Sequence, residues 1–112
     1  MIDSYSFGKI VINGKVFNQD VIIYPDKVNS SWWRRQGHNL CWDDIREIIA
    51  IKPEILIIGQ GQPGLMKVPA DLRMRIEAQG IELIIAGTAE AVREYNSVCG
   101  SRRAVAALHL TC

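Results

Sequence analysis

Three apolar runs in the second half of the chain predict buried strands: "EILIIG", "IELIIAG" and "RAVAALHL". A short continuous apolar run is typical of a strand that is covered on both faces. Between these runs, "PADLRMRIEAQG" and "TAEAVREYNSV" place apolar residues on one helical face. Strand, helix, strand, helix and strand in this order predict right-handed parallel crossovers in one sheet, with helices on its faces.

The ends of the predicted helices carry their own signals. Asp43 is expected to cap a helix that contains Ile45, Ile48 and Ile49 and that stops before Pro53. Later in the chain, Pro69 is expected in a first helical turn, Gly80 at a helix C-terminus and Thr88 at a helix N-cap. Residues 26–42 show neither the helical nor the strand periodicity of apolar residues. This stretch therefore predicts a loop, with a short strand near Asn39–Cys41.

The first 24 residues predict a hairpin. Its strands are Phe7–Ile12 and Lys15–Tyr24, and Asn13-Gly14 between them suits the positive φ angles of a type I′ turn. We expect this hairpin to extend the sheet. The predicted fold is therefore three-layer α/β, with a central mixed sheet, an N-terminal hairpin and a βαβαβ C-terminal part.

Length and charge narrow the function classes. The 112 residues predict one domain, 1–112, and a net charge of +1 does not favour nucleic acid. No run of about 18 apolar residues occurs, so no membrane insertion is expected. The sparse, odd set of three cysteines is not typical of a disulfide scaffold. These features favour a reducing, cytoplasmic setting.

The stretch "ILIIGQGQPG" has the spacing G-x-G-x-x-G of dinucleotide-binding loops. In such loops the third glycine lies in the first turn of the next helix, but here Pro63 and "LMKV" intervene. The ribose-binding acid is also misplaced, because Glu82 is near the start of the next strand. We therefore expect no nucleotide cofactor.

Two interpretations of this glycine loop stay open. The glycines could serve positive φ angles or close backbone packing. Alternatively, exposed amides at the C-terminal end of a parallel strand could bind a small anion. The candidate residues for a ligand or anion site are Gly59, Gln60, Gly61, Gln62, Gly64 and Lys67.

A second candidate is the Trp–Arg segment, residues 30–38, with the sequence "SSWWRRQGH". One interpretation puts one indole in the core and the other over its edge. Another is a protein contact surface, since Trp and Arg are enriched at interface hot spots. We then expect at least one arginine to be solvated, and the joint replacement of Arg34 and Arg35 by alanine to leave folding nearly intact but weaken partner binding. Stacking on single-stranded nucleic acid is disfavoured by the net charge. The candidate interaction residues are Trp32, Trp33, Arg34, Arg35 and His38.

Signals for catalysis or metal binding are weak. His38 with Cys41 and His109 with Cys112 both read H-x-x-C, but His109 lies in a predicted strand, where residues three apart face opposite ways. We therefore expect structural thiols rather than zinc. No nucleophile elbow, H-E-x-x-H motif or Walker loop is present, so we assign no catalytic residue.

Several motifs together resemble the small Mth-domain family of unknown function. They are "YSFGKIVINGKVFNQDVIIYP", "WWRRQGHNL", "PEILIIGQGQPG", "EYN" and "AALHLTC", in this order over nearly the whole chain. The family includes a human adipogenesis-associated protein and, more distantly, a mitochondrial assembly factor for respiratory complex I. Gln60 departs from the threonine more usual in this loop, so a hydroxyl that could bind an anion is missing.

The resemblance implies a three-layer α/β fold and supplies no known enzyme activity. It implies partner binding or assembly. Our first hypothesis is therefore a non-enzymatic interaction module with a protein partner, which uses the Trp–Arg segment beside the glycine loop. The alternative is a protein that binds a small molecule or anion, or an undescribed enzyme, with its pocket at Gly59–Gly64. Homo-oligomerisation stays open.

Overall fold

A computed structural model describes all residues, 1–112. The chain forms eight strands and three helices. In chain order they are β1 (Ile2–Ser6), β2 (Lys9–Ile12), β3 (Lys15–Phe17), β4 (Val21–Ile23), β5 (Val28–Asn29), α1 (Trp42–Ala50), β6 (Ile55–Gly59), α2 (Ala70–Glu77), β7 (Glu82–Ala86), α3 (Thr88–Val98) and β8 (Ala104–Leu108).

The central sheet has five strands in the order β5-β4-β8-β6-β7. Strand β6 pairs in parallel with both β7 and β8, as the predicted βαβαβ crossovers require. Strand β4 runs antiparallel to β8 and to β5, so the sheet is mixed. The three-layer α/β prediction around a central mixed sheet is confirmed.

The N-terminal hairpin lies elsewhere than predicted. Its turn has positive φ at Asn13 (49°) and Gly14 (81°), as a type I′ turn needs. However, β2 and β3 join β1 in a separate three-stranded antiparallel sheet and do not extend the central one. The single strand predicted over Lys15–Tyr24 is divided by the polar residues 18–20 into β3 and β4, and only β4 reaches the central sheet.

Alternate residues of β6 face the two outer layers. Leu56 and Ile58 share a core cluster with residues of α1 and α2. Ile55 and Ile57 share the opposite cluster with α3 and the small sheet. Because both faces of β6 are covered, its continuous apolar run is explained.

The helix ends show where capping signals were misleading. Helix α1 begins at Trp42 with Cys41 as its N-cap, so Asp43, the predicted cap, lies inside the first turn. The backbone N–H of Cys41 donates to the Asp44 carboxylate at 2.9 Å, so an acidic side chain acts from within this turn. Pro69 is the N-cap of α2 rather than a residue of its first turn. The longest helix, α3, has 11 residues, and none of the three helices could span a membrane.

The residues after α2 and those before α1 differ in how well they match the sequence predictions. Gly80 follows α2 with φ of +80°, as expected after a helix C-terminus. The short strand predicted near Asn39–Cys41 is reduced to one parallel bridge between Asn39 and Lys67.

Candidate functional site

The glycine loop lies at the end of the sheet where the connections that follow two neighbouring strands lead to opposite faces. After β6 the chain enters α2 on one face, and after β7 it enters α3 on the other. Open α/β sheets place their ligand crevices beyond the strand ends at such a point. The glycine loop, residues 59–64, follows β6 directly and therefore occupies this position.

The first amides of the glycine loop donate to acceptors within the protein. The N–H of Gln60 donates to the carbonyl of Ala86 at 2.8 Å, and that of Gly61 to Thr88 Oγ1 at 2.8 Å. The next amide, of Gln62, donates to a carbonyl of the C-terminal segment at 3.0 Å. The Gln60 side chain donates to the carbonyl of Met66 at 3.0 Å. These donors hold the loop against the fold, and an anion at this point would compete with protein acceptors.

Close packing accounts for two of the glycines. Gly61 has φ of +91°, and a Cβ there would lie 2.2 Å from the carbonyl oxygen of Thr111 and 2.7 Å from His109 Cδ2. A Cβ at Gly59 would lie 2.8 Å from Thr88 Oγ1. Gly64 has φ of +110° and open surroundings, since a Cβ there would meet no atom within 4 Å, so only its backbone conformation favours glycine. The loop also contains a cis peptide bond between Gln62 and Pro63.

Thr88 has a different role from the predicted helix cap. The N-cap of α3 is Gly87, and Thr88 is the first helical residue. Its buried hydroxyl donates to the carbonyl of His109 at 2.5 Å and accepts the Gly61 N–H. This one side chain therefore ties the glycine loop to the segment that follows β8.

A buried ionic cluster lies beside the glycine loop. Asp20 Oδ2 is 2.8 Å from Arg34 Nη2 and 2.8 Å from His109 Nδ1, and Asp20 Oδ1 accepts the Leu110 N–H at 2.7 Å. The side chains of Arg34 and His109 are 6% and 7% exposed, and that of Asp20 is 18% exposed. Asp20 was not among the residues predicted for a site; the interruption of an apolar strand pattern by residues 18–20 was its only signal.

The pKa of Asp20 reflects opposing effects in this cluster. Burial on its own raises the pKa of the carboxyl group, but hydrogen bonds from His109, the Leu110 amide and Arg34 outweigh it. The net effect is a pKa below the usual aspartate value. Asp20 is therefore held as a carboxylate, which compensates the buried guanidinium of Arg34.

The Trp–Arg segment divides into buried and exposed residues. Trp32 is 6% exposed, and its indole N–H donates to the Asp44 carbonyl at 3.0 Å. Arg34 lies over the Trp32 ring, 4.6 Å from its centroid. In contrast, Trp33 is 73% exposed, and the Arg35 side chain is 65% exposed. The interpretation that one indole enters the core is confirmed for Trp32. Arg35 is the solvated arginine that the sequence predicts. Arg34 is buried beside Asp20, which supplies its counter-charge, so the expectation that both arginines can be replaced with folding nearly intact conflicts with the structure.

The structure brings His38 and Lys67 together near the cluster. The rings of His38 and His109 meet edge to face with centroids 5.7 Å apart. The Lys67 N–H donates to the His38 carbonyl at 2.8 Å, so the Trp–Arg segment packs beside the end of the glycine loop. A shallow depression here is lined by Gln36, His38, Asn39, Leu65 and Lys67.

Neither the histidines nor the cysteines build a metal centre. His38 and His109 are neighbours, but no group of three or more His, Cys, Asp or Glu side chains is arranged to hold a metal ion. Cys41, Cys99 and Cys112 are all free thiols.

Comparison with known proteins agrees with the resemblance noted in the sequence. A family model described as "Protein of unknown function (DUF498/DUF598)" matches residues 2–110. A conserved hypothetical protein from Pyrococcus horikoshii OT3 has a similar structure, with 25% identity and a TM-score of 0.84 over 100% of this chain and 99% of that one.

Two further solved structures share the fold. MT938 is 24% identical with a TM-score of 0.81, over 100% of this chain and 98% of that one. A Bordetella pertussis protein described as a Mth938-like domain is 20% identical with a TM-score of 0.76, over 98% of this chain and 85% of that one. The likeness at these identities concerns the fold, and the predicted Mth-domain resemblance is confirmed.

Proposed function

The chain belongs to the DUF498/DUF598 family of unknown function, and we propose that it is a non-enzymatic interaction module that binds another protein through Trp33 and Arg35. Both of these side chains are largely exposed to solvent. Trp32 and Arg34 act beneath them as the support of that surface. We place this activity in the cytoplasm, where the three free thiols would stay reduced.

The observation that carries the proposal is an exposed tryptophan in a well-anchored loop. Trp33 is 73% exposed. The backbone is anchored on both sides of Trp33. The backbone N–H of Trp32 donates to the Asp20 carbonyl at 3.0 Å, and the backbone N–H of Arg35 donates to Asp44 Oδ1 at 3.1 Å. A side chain presented by a fixed backbone loses little conformational freedom on binding, so this arrangement favours recognition.

A cavity beside Trp33 supports the same surface. It has a volume of about 200 Å³ and is lined by Trp32, Trp33, Tyr24, Glu47 and other residues of β4, the loop and α1. Interface hot spots combine an aromatic anchor with a neighbouring pocket for a partner side chain. Trp33 and this cavity offer both features on one side of the molecule.

The alternative, a small anion at the glycine loop, has less support. The amides of Gln60, Gly61 and Gln62 already donate to protein acceptors. The neighbouring depression lined by His38 and Lys67 is the place nearby where an anion would not compete with these acceptors. A rise in melting temperature with inorganic phosphate, abolished by Lys67→Ala, would favour this alternative.

The test compares two exposed aromatic residues. We expect Trp33→Ala to lose the partner that the wild-type protein captures from an extract of its native host, because the indole is the anchor. Phe7→Ala is the matched control, since Phe7 is 59% exposed but lies beside the small sheet. Both variants should unfold in urea within about 0.5 kcal/mol of wild type.

Two outcomes would contradict this proposal. One is an unchanged set of captured proteins with Trp33→Ala. The other is an equal loss with Phe7→Ala. If the captured partner is a second copy of the chain, sedimentation will show a wild-type dimer that Trp33→Ala converts to monomer.

A further inference from the structure

Three arginines converge on a depression next to the Trp–Arg segment. It has a volume of about 540 Å³ and is lined by Arg35, Cys41, Trp42, Asp43, Arg46 and Arg75. Arg46 belongs to α1 and Arg75 to α2, so two helices and the preceding loop contribute guanidinium groups to one place. We call Arg35, Arg46 and Arg75, together with Trp42, the arginine cradle.

Arg75 is ordered by stacking rather than by an ion pair. Its guanidinium carbon lies 3.7 Å from the centroid of the Trp42 ring. Arg75 lies on the exposed side of α2, and its side chain forms no hydrogen bond or ion pair within the protein. A stacked guanidinium keeps its N–H groups free at the edge, where they can bind a carboxylate in a bidentate manner. The stack on Trp42 therefore positions the Arg75 guanidinium while its donors stay unused.

Asp43 shows that carboxylates fit between the other two arginines. Its carboxylate accepts from Arg46 and lies 3.2 Å from Arg35 Nη2. The Arg35 and Arg46 side chains are still 65% and 70% exposed, so their outer donors face solvent. The lining of this depression holds three guanidinium groups and one carboxylate, so the lining itself carries an excess of positive charge. A further carboxylate, that of Asp71, lines the adjoining depression with Arg75 and Trp42.

We propose that the arginine cradle binds the carboxylates of an acidic segment in a partner protein. This inference rests on the proposed interaction function and adds the chemistry of the partner. Arg35 belongs to both surfaces, so an acidic segment on the cradle would lie next to whatever covers Trp33. The overall net charge of +1 gives no extended basic field, which favours a short acidic peptide over nucleic acid.

The test uses purified full-length protein and a fluorescein-labelled hexaglutamate peptide. Fluorescence anisotropy should show binding that weakens as salt rises, because the contacts are charged and exposed. We expect Arg75→Gln to weaken the affinity about three- to tenfold, the effect of losing one charge-assisted contact. Arg93→Gln is the matched control, since Arg93 is also exposed, on α3, but lies outside the cradle. It should change the affinity less than about twofold.

A charge-conserving variant tests the stacked geometry. Arg75→Lys keeps the positive charge but loses the planar group that stacks on Trp42 and the paired donors. We expect it to recover only part of the lost affinity. Full recovery would overturn the role assigned to the stacked guanidinium.

The remaining outcomes separate this inference from the proposed function. Equal affinities of wild type and Arg75→Gln, or an equal loss with Arg93→Gln, would overturn the cradle and leave Trp33-dependent capture standing. Tighter binding of an oligothymidylate than of hexaglutamate would overturn the acidic protein partner in favour of nucleic acid. Unchanged capture by Trp33→Ala would contradict the proposed function, whatever the peptide result.

Discussion

At the scale of single residues, adjacent side chains of one type have opposite roles. Trp32 and Arg34 are buried and structural, whereas Trp33 and Arg35 are exposed. Burial alternates along this part of the loop, so neighbouring side chains of one type are divided between the interior and solvent. The same few residues can therefore stabilise the fold and present a contact surface.

The paired arginines give a direct test of this division. We expect Arg34→Ala to destabilise the protein by about 3–5 kcal/mol, because it leaves the largely buried Asp20 carboxylate without its guanidinium partner. Arg35→Ala should stay within about 0.5 kcal/mol, since its ion pair with Asp43 is exposed. Urea denaturation of both variants measures the difference. Similar small losses would mean that Arg34 is not needed to compensate Asp20.

At the scale of elements, the sequence predicted the parts whose signals are local. The apolar runs located β6, β7 and β8, and Asn13-Gly14 located the hairpin turn. Capping was less reliable: Asp43 and Thr88 are typical cap residues, but Cys41 and Gly87 occupy the cap positions. Here tertiary hydrogen bonds, such as that of Thr88 to His109, determined the role of the side chain.

The candidate site depends on contacts that no local pattern reveals. Asp20 and His109 are 89 positions apart, and Arg34 and His109 are 75 apart. Their charges appear in the sequence as unrelated polar positions, and only the completed sheet brings them together. The sequence indicated the tryptophan pair and the glycine loop as candidates. Only the structure shows which tryptophan is exposed and which loop amides donate to protein acceptors.

The glycine loop offers a prediction at this scale. Gly61→Ala should cost about 2–5 kcal/mol, since a positive φ is combined with contact against the Thr111 carbonyl. Gly64→Ala is the matched control: its φ is also positive but its surroundings are open, so about 1–2 kcal/mol is expected. Chemical denaturation of the two variants tests this difference. Equal costs would indicate that the loop moves away from Thr111 without strain.

At the scale of the whole molecule, the ionic cluster joins distant parts of the chain. Asp20 precedes β4, Arg34 precedes α1 and His109 follows β8. Two other hydrogen bonds also join distant parts of the chain. The Tyr5 hydroxyl donates to the Leu110 carbonyl at 2.9 Å, and the Asn96 amide group donates to the Ile2 carbonyl at 2.8 Å. The small sheet, the central sheet and α3 are therefore held together by polar contacts as well as by the two apolar clusters.

The stability of the protein at acid pH should depend on the carboxylate of Asp20. Because the pKa of Asp20 is lowered in the folded state, its stabilising contribution is complete above its unfolded value of about 3.9 and is lost as the pH falls through the folded value. We expect wild-type stability to decline below about pH 4, and Asp20→Asn to be less stable at neutral pH with a shallower acid dependence. Urea melts across this pH range provide the measurement.

An exposed carboxylate is the control for acid stability. Asp26→Asn replaces a solvated aspartate outside the cluster and should leave the acid profile of the wild type unchanged. An identical acid dependence in Asp20→Asn and wild type would show that other carboxylates govern the loss of stability.

The place of β8 in the sheet also bears on biosynthesis. This strand lies between β4 and β6, although it is the last strand along the chain. During translation β4 and β6 therefore emerge long before the strand that joins them. Until then each of them leaves one edge of unpaired backbone N–H and C=O groups beside its apolar side chains, the kind of surface on which nascent chains aggregate or recruit chaperones. The central sheet can close only after residues 104–108 have left the ribosome, so β4 and β6 must wait for β8 before they are joined.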